Sequence, residues 1–318
     1  MKIGLIGAGR LGICLALLIE RAGYDVIASD VREDYVQALS KGVLGTTEPQ
    51  THEYLWAAEN IEFTTDNDRV IRECDLIFTL VATPSLEDGS YDVNAVWKVV
   101  DDFKAASDVL TGKSLVVGCT TNPGDCDLFQ EQLAEYGVDV YYNPEFIAQG
   151  SIVRDLRTAD MVLIGGDEGK YRDELVKLYY SIQGPNKEPR VSFMSTTAAE
   201  LVKLAVNCYL TMKISYANQV GEVMSRFGLG EEIDTVLNAI GADSRIGSKF
   251  LGYGFGFGGP CLPRDNRAFA HAAERVGLKN NIGLTIDAFN DEHSDFLADY
   301  LCERNPNKKR PFYFSEGV

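Results

Sequence analysis

A cysteine stands in an unusual run: Gly254-Phe255-Gly256-Phe257-Gly258-Gly259-Pro260-Cys261-Leu262-Pro263-Arg264-Asp265. A helix is expected to begin between Leu262 and Asp265. The thiol then sits just before a helix N-terminus and close to an arginine, a setting expected to lower its pKa and raise the share of nucleophilic thiolate. The glycines let backbone and ligand approach closely. Cys14, Cys74, Cys208 and Cys302 lie in apolar helical or strand patterns, where a free cysteine is expected to be buried and inert.

At the other end of the chain, Gly7-Ala8-Gly9-Arg10-Leu11-Gly12 follows an apolar strand and opens a helix. In that position GxGxxG is a dinucleotide fingerprint, because the glycines let the backbone approach a pyrophosphate seated on the helix N-terminus. Asp30 ends the next strand. Its carboxylate suits the ribose hydroxyls of NAD and repels a 2′-phosphate, although Arg32 works against that preference. A ligand-free tight turn is the plainer reading of the same glycines. A nicotinamide site alone suggests a simple alcohol dehydrogenase. A placed thiol as well suggests an enzyme that holds an aldehyde covalently and oxidises it again.

Other residues have two readings each. Val81-Ala82-Thr83-Pro84 and Cys119-Thr120-Thr121-Asn122-Pro123-Gly124 end strands facing the same crevice, yet Thr-Pro and Asn-Pro-Gly are also ordinary turn formers. Lys203 and Asn207 are four apart and share a helix face, where they suit either an oxyanion or plain solvation. Glu145, in Asn143-Pro144-Glu145-Phe146, is placed for a general base or for a turn cap.

The elements that must position these groups alternate. Residues 2–6, 24–29, 76–82, 114–119, 138–142 and 161–164 read as strands. Helices are expected at 11–22, 35–40, 93–106, 128–136 and 171–181. That order predicts an α/β fold, a Rossmann-like, doubly wound, mostly parallel sheet. After Pro189 the periodicity turns helical. One helix runs from Ser195 to about Phe227, long enough to connect two domains and offer a dimer face, and Gly228 ends it. Further helices are expected at 233–240, 267–276 and 282–301. The expected domains are 1–190, binding the dinucleotide, and 191–305, a helical central and dimerisation domain carrying Cys261. Residues 306–318 follow, where Pro311–Val318 reads as a strand beginning.

Of the 318 residues, 45% are hydrophobic and 24% are charged. That balance suits a soluble globular protein of two domains. The net charge of −17 argues against nucleic-acid and anionic-membrane partners, which require basic surfaces. Seven cysteines without paired CxxC spacing indicate neither a disulfide framework nor a metal site, so a reducing cytoplasm is expected. No run has transmembrane length, and Lys308-Lys309-Arg310 reads as a solvated loop.

Taken in order along the chain, the motifs at Gly7–Gly12, Asp30, Val81–Pro84, Thr120–Gly124, Asn143–Gly150, Glu200–Asn207 and Cys261 resemble the UDP-glucose/GDP-mannose dehydrogenase family. The resemblance implies NAD-dependent oxidation of a nucleotide-sugar C6 alcohol to the carboxylate in two hydride transfers, with UDP-glucose the leading substrate. It makes Cys261 the carrier of a thiohemiacetal and then a thioester, and gives Lys203 and Asn207 the stabilisation of oxygen charge. Asp265, with a water near Thr120, assists proton transfer, and Glu145 assists hydrolysis. It adds Arg10, Leu11, Thr83, Thr120 and Arg264 to the cofactor set. Phe146, Ile147, Lys203, Asn207, Arg245, Phe250 and Gly258 form the substrate set, with Arg245 reaching a neighbouring subunit's substrate in a homodimer built on the long helix. This chain departs from the family pattern at Pro260, Arg264 and Gln149, where serine, lysine and an acidic residue are usual. The family also has a third, C-terminal α/β domain, of which residues 306–318 are expected to be only the start. Two other classes remain: a two-electron hydroxyacid or sugar-acid dehydrogenase, and a non-catalytic NAD-binding dimer module.

Overall fold

The computed structural model describes residues 1–183 and 189–304. It divides into two compact units, residues 1–84 with 91–201, and residues 85–90 with those from Val202 onward.

The first unit is an eight-stranded sheet with helices along the connections. In chain order it runs β1 (Lys2–Ile6), α1 (Arg10–Arg21), β2 (Asp25–Ser29), α2 (Glu33–Ser40), α3 (Thr51–Ala57), β3 (Ile61–Thr64), α4 (Asn67–Glu73) and β4 (Leu76–Thr79). It continues with α5 (Asn94–Ala105), β5 (Ser114–Val117), α6 (Asp125–Leu133), β6 (Asp139–Tyr142), α7 (Ile152–Arg157), β7 (Met161–Gly165), α8 (Lys170–Gln183) and β8 (Arg190–Met194). The strand order is β3-β2-β1-β4-β5-β6-β7-β8. Pairing is parallel except where β7 meets β6. The expected doubly wound sheet is therefore present. Its central strands are buried along their whole length, which is why they read as short apolar runs rather than alternating ones. The order reverses between β1 and β4, and such switch points open a crevice at the carboxyl ends of strands.

β3 and β8 do not stand out in the sequence. They are the two edge strands and are half-buried, so neither carries a continuous apolar run. β8 falls where the sequence reads as already helical. The long helix α9 (Thr196–Arg226) spans 31 residues, against an expected start at Ser195 and end near Phe227. It begins in the first unit and continues into the second.

The second unit adds α10 (Ile233–Gly241), α11 (Leu262–Arg275) and α12 (Ile282–Arg304). Ala217 and Met224 of α9 pack with Ile233 and Leu237 of α10 and with Leu251. Cys208 packs with Phe257 and Ile286. Phe257 thus anchors the glycine-rich run in the core. The strand expected at Pro311–Val318 and the basic loop at Lys308–Arg310 lie outside the described residues.

Candidate active site

In the first unit a cavity of about 490 Å³ opens at the carboxyl ends of β1, β2 and β4, lined by Gly7, Gly9, Asp30, Arg32, Val81 and Ala82 among others. The glycines differ in what they permit. A Cβ on Gly12 would lie 2.0 Å from the Gly7 carbonyl oxygen, so this glycine closes the helix onto the strand. Gly7 has φ +100, and a Cβ there would lie 2.7 Å from the Leu80 carbonyl. A Cβ on Gly9 meets nothing within 4 Å. This glycine leaves an open cradle at the start of α1, where a pyrophosphate is expected. Backbone shape, helix terminus and a carboxylate on the neighbouring strand together fit NAD.

That carboxylate, Asp30, is nearly buried and accepts from Arg32: Nε at 2.8 Å, Nη2 at 2.9 Å and the backbone N at 3.1 Å. Burial works to raise its pKa, but the Arg32 hydrogen bonds and charge outweigh burial and hold it below the usual value. Leu11, at the start of α1, is half-buried against the core of this unit. Arg10 is exposed at the first position of α1 and donates to Gln149 Oε1 at 2.6 Å, so one of the departures from the family pattern has a partner. Thr83 is buried, while Thr120 is half-buried in the loop that follows β5. Glu145 follows β6, with half-buried Phe146 and Ile147 beside it, and accepts from the Tyr179 hydroxyl at 2.5 Å.

Glu200, which the sequence marks only as the start of the Glu200–Asn207 motif and to which it gives no role, is fully buried in the first turns of α9. Its carboxylate accepts from Thr121 Oγ1 at 2.7 Å, Gly124 N at 2.7 Å and Cys126 N at 3.0 Å. It therefore caps α6 from a distant part of the chain, something no local signal reveals. Burial pushes its pKa up to about 7, against those hydrogen bonds. A carboxyl group raised in the fold stabilises it fully below its unfolded value, and that contribution is lost as pH rises through about 7. The stability advantage of the native chain over Glu200→Gln is therefore expected to shrink from pH 5 to pH 8, by up to about 3 kcal/mol. Denaturant midpoints of both proteins at the two pH values measure it. A pH-independent gap would refute the reading.

In the second unit Cys261 occupies the cap position of α11, just before Leu262, with Pro263 in the first turn. Asp265, one turn on, is 2% exposed. Lys203 and Asn207 of α9 both turn to it: Lys203 Nζ lies 3.7 Å from Asp265 Oδ2, and Asn207 Nδ2 donates to the same oxygen at 2.5 Å. Both are buried, so the reading of this pair as a solvated helix face is set aside. The structure thus brings Cys261, Asp265, Lys203 and Asn207 into one neighbourhood within this unit. Arg264 donates from Nε to Ser85 Oγ at 2.9 Å. Arg245 is exposed and pairs with Asp243. Phe250 is half-exposed with φ +60, a left-handed conformation uncommon for a bulky side chain, and Gly258 is exposed.

The thiol does not follow expectation. Cys261 is exposed as a residue, yet desolvation raises its pKa, and the Asp265 charge raises it further. The opposing charges of Lys203 and Arg264 are outweighed. The sequence shows the arginine and the helix terminus but not the buried carboxylate. Cys14, Cys74 and Cys208 are buried as expected, with thiols pushed up by burial to about 11, 12 and 11. Cys302, expected to be buried, is exposed.

The chain is similar to known proteins over nearly its whole length. The model of the NAD binding domain of the UDP-glucose/GDP-mannose dehydrogenase family matches residues 1–183, and that of its central domain matches residues 197–292. The UDP-glucose 6-dehydrogenase AglM of Haloferax volcanii is 31% identical over 319 residues, covering 96% of this chain and 73% of the relative. The UDP-glucose 6-dehydrogenase of Rhizobium meliloti is 32% identical over 302 residues, covering 92% of this chain and 68% of the relative. Among solved structures, a UDP-glucose dehydrogenase from Pyrobaculum islandicum superposes with a TM-score of 0.87 at 30% identity, covering 96% of this chain and 71% of that one.

Proposed function

The chain belongs to the UDP-glucose/GDP-mannose dehydrogenase family, and from that premise we propose that it oxidises the C6 alcohol of UDP-glucose, or of a related UDP- or GDP-sugar, to the uronate. The coarser statement stands on the comparisons alone: it is a nucleotide-sugar dehydrogenase by family, with an NAD-binding N-terminal domain. The observation that carries the finer one is the buried Lys203–Asn207–Asp265 cluster beside an accessible Cys261.

Bound NAD supplies a hydride acceptor for each of two oxidations. The Gly7–Gly12 turn with Arg10 and Leu11 would hold its pyrophosphate, and Asp30 would accept from the ribose hydroxyls. Thr83, Thr120 and Arg264 complete the set. The chain's own residues do the rest. The Cys261 sulfur adds to the C6 aldehyde left by the first oxidation, giving a thiohemiacetal. Loss of the second hydride from that carbon, with a proton from its hydroxyl, leaves a thioester. Water then cleaves the C–S bond and returns the thiol with the carboxylate. Lys203 and Asn207 stabilise oxygen charge at each addition. Asp265 and Thr120, through water, move protons, and Glu145 activates the hydrolytic water. Holding the aldehyde on sulfur prevents its escape. Phe146, Ile147, Phe250, Gly258 and Arg245 are assigned to the nucleotide sugar.

We further read residues 1–190 as the cofactor domain and 191–305 as the central domain. The protein is read as cytoplasmic, and as a homodimer through α9. Tyr209, Tyr216 and Val223 support the dimer. They recur every seventh residue on α9, so they share one face of the helix. Each is about half exposed, at 54%, 48% and 46%. NADH release from a panel of UDP- and GDP-sugars, with product stoichiometry, tests the activity. Two NADH per uronate is the expected result, and one NADH with a free aldehyde or ketone overturns it.

A further inference from the structure

The run that ends in Cys261 is held by side chains from two helices. Asn218 of α9 accepts from Gly254 N at 3.0 Å and donates to the Phe255 carbonyl at 3.2 Å. Asn290 of α12 accepts from Phe257 N at 2.8 Å and donates to the Phe257 carbonyl at 3.1 Å, as a paired strand would. One turn further along α12, His293 places Nε2 2.7 Å from the Gly254 carbonyl. Two glycines make room for this arrangement. A Cβ on Gly256 would lie 2.3 Å from Asn290 Oδ1, and a Cβ on Gly221 of α9 would lie 2.1 Å from the Tyr253 ring.

His293 is fully buried, and both of its ring nitrogens face acceptors. Gly254's carbonyl can only accept, so Nε2 carries a hydrogen. Nδ1 lies 2.7 Å from Glu222 Oε1. Arg226 Nη2 lies 3.5 Å from the other Glu222 oxygen. The ring stacks with Phe289 and Phe296, with centroids at 6.0 and 6.2 Å, and Tyr253 meets its edge at 6.1 Å. A buried ring with every polar atom bonded and aromatic neighbours around it has one orientation, and that orientation fixes Gly254.

We propose that His293, with Asn218 and Asn290, is a positioning residue that seats the glycine-rich run and thereby sets the place of the Cys261 sulfur. This rests on the reading of Cys261 as nucleophile. The clamp acts through the backbone and does not touch the reacting atoms. Displacing a reacting group by about 1 Å costs up to about 100-fold in rate.

The test is His293→Phe, which keeps an aromatic ring and removes both hydrogen bonds, beside Asn290→Ala, which leaves His293 in place. Each is measured for kcat, for KM of NAD and for hydrogen exchange of the peptide spanning residues 252–260. The expected result is a kcat lowered about 10- to 100-fold with KM for NAD unchanged, and faster exchange in that peptide. His293→Gln, which retains a donor for the Gly254 carbonyl, is expected to recover most of both. Wild-type kcat and exchange in a folded His293→Phe or Asn290→Ala overturns the proposal, as does a His293→Gln no better than His293→Phe. Should Cys261→Ser retain full turnover, the functional reading fails separately, and exchange across residues 252–260 still decides whether the clamp exists.

Discussion

Cys261→Ser is expected to lower steady-state uronate formation by at least about 1,000-fold, roughly 4 kcal/mol of lost transition-state stabilisation, while leaving NAD binding unchanged. The two halves of the prediction come from different parts of the chain. The cofactor cavity lies at the carboxyl ends of β1, β2 and β4 of the first unit, whereas the thiol belongs to the second. The thiol is accessible, next to a buried carboxylate and lysine. Serine is close in size, so the fold should persist, and a serine ester is a poor substitute for a thioester in the second oxidation. The first hydride transfer needs no sulfur. A single pre-steady-state turnover should therefore still release some NADH from the variant, followed by stalling. Titration of NAD by fluorescence checks binding, and rapid mixing checks the burst. A variant that makes uronate at the wild-type rate would show that Cys261 is not the nucleophile.

Whether a feature is legible in the sequence depends on whether it is local. The βαβ unit is legible because a buried parallel strand, a glycine turn and a periodic helix are each written in consecutive residues. The long helix is legible because its period continues unbroken to Gly228. The edge strands β3 and β8 are not, because a half-buried strand of four or five residues has neither an apolar run nor a clear alternation. The site divides along the same line. The glycines, Asp30 and Cys261 stand out by type and spacing. The burial of Lys203 and Asn207 does not, because a lysine and an amide four apart are common on wet helix faces. Glu200 caps a helix whose first residue lies 75 positions before it, a relation that exists only after folding. The direction of the Cys261 shift escapes the sequence for the same reason. It is set by desolvation and by Asp265, which the helix places beside the sulfur.

That reversal yields a prediction in which two substitutions act in opposite directions. Lys203→Met removes the first of the charges that favour the thiolate, so the Cys261 pKa is expected to rise further. Asp265→Asn removes a charge that opposes the thiolate, so the pKa is expected to fall. At a fixed pH near 8, alkylation of Cys261 by iodoacetamide, followed on its own peptide by mass spectrometry, should be slower than wild type in the first variant and faster in the second. Turnover should not follow thiol reactivity. Lys203→Met is expected to lose about 100- to 1,000-fold in kcat, as for removal of one oxyanion donor. Asp265→Asn should also lose kcat, despite its more reactive thiol, because a buried amide cannot take up a proton. If Asp265→Asn gained turnover in step with alkylation, the carboxylate would act only as a brake on the thiol. If both variants alkylated at the wild-type rate, the Lys203–Asp265 pair would not govern the sulfur at all. The opposite signs separate an electrostatic role from general damage to the site, since loosening of the packing would move both rates the same way.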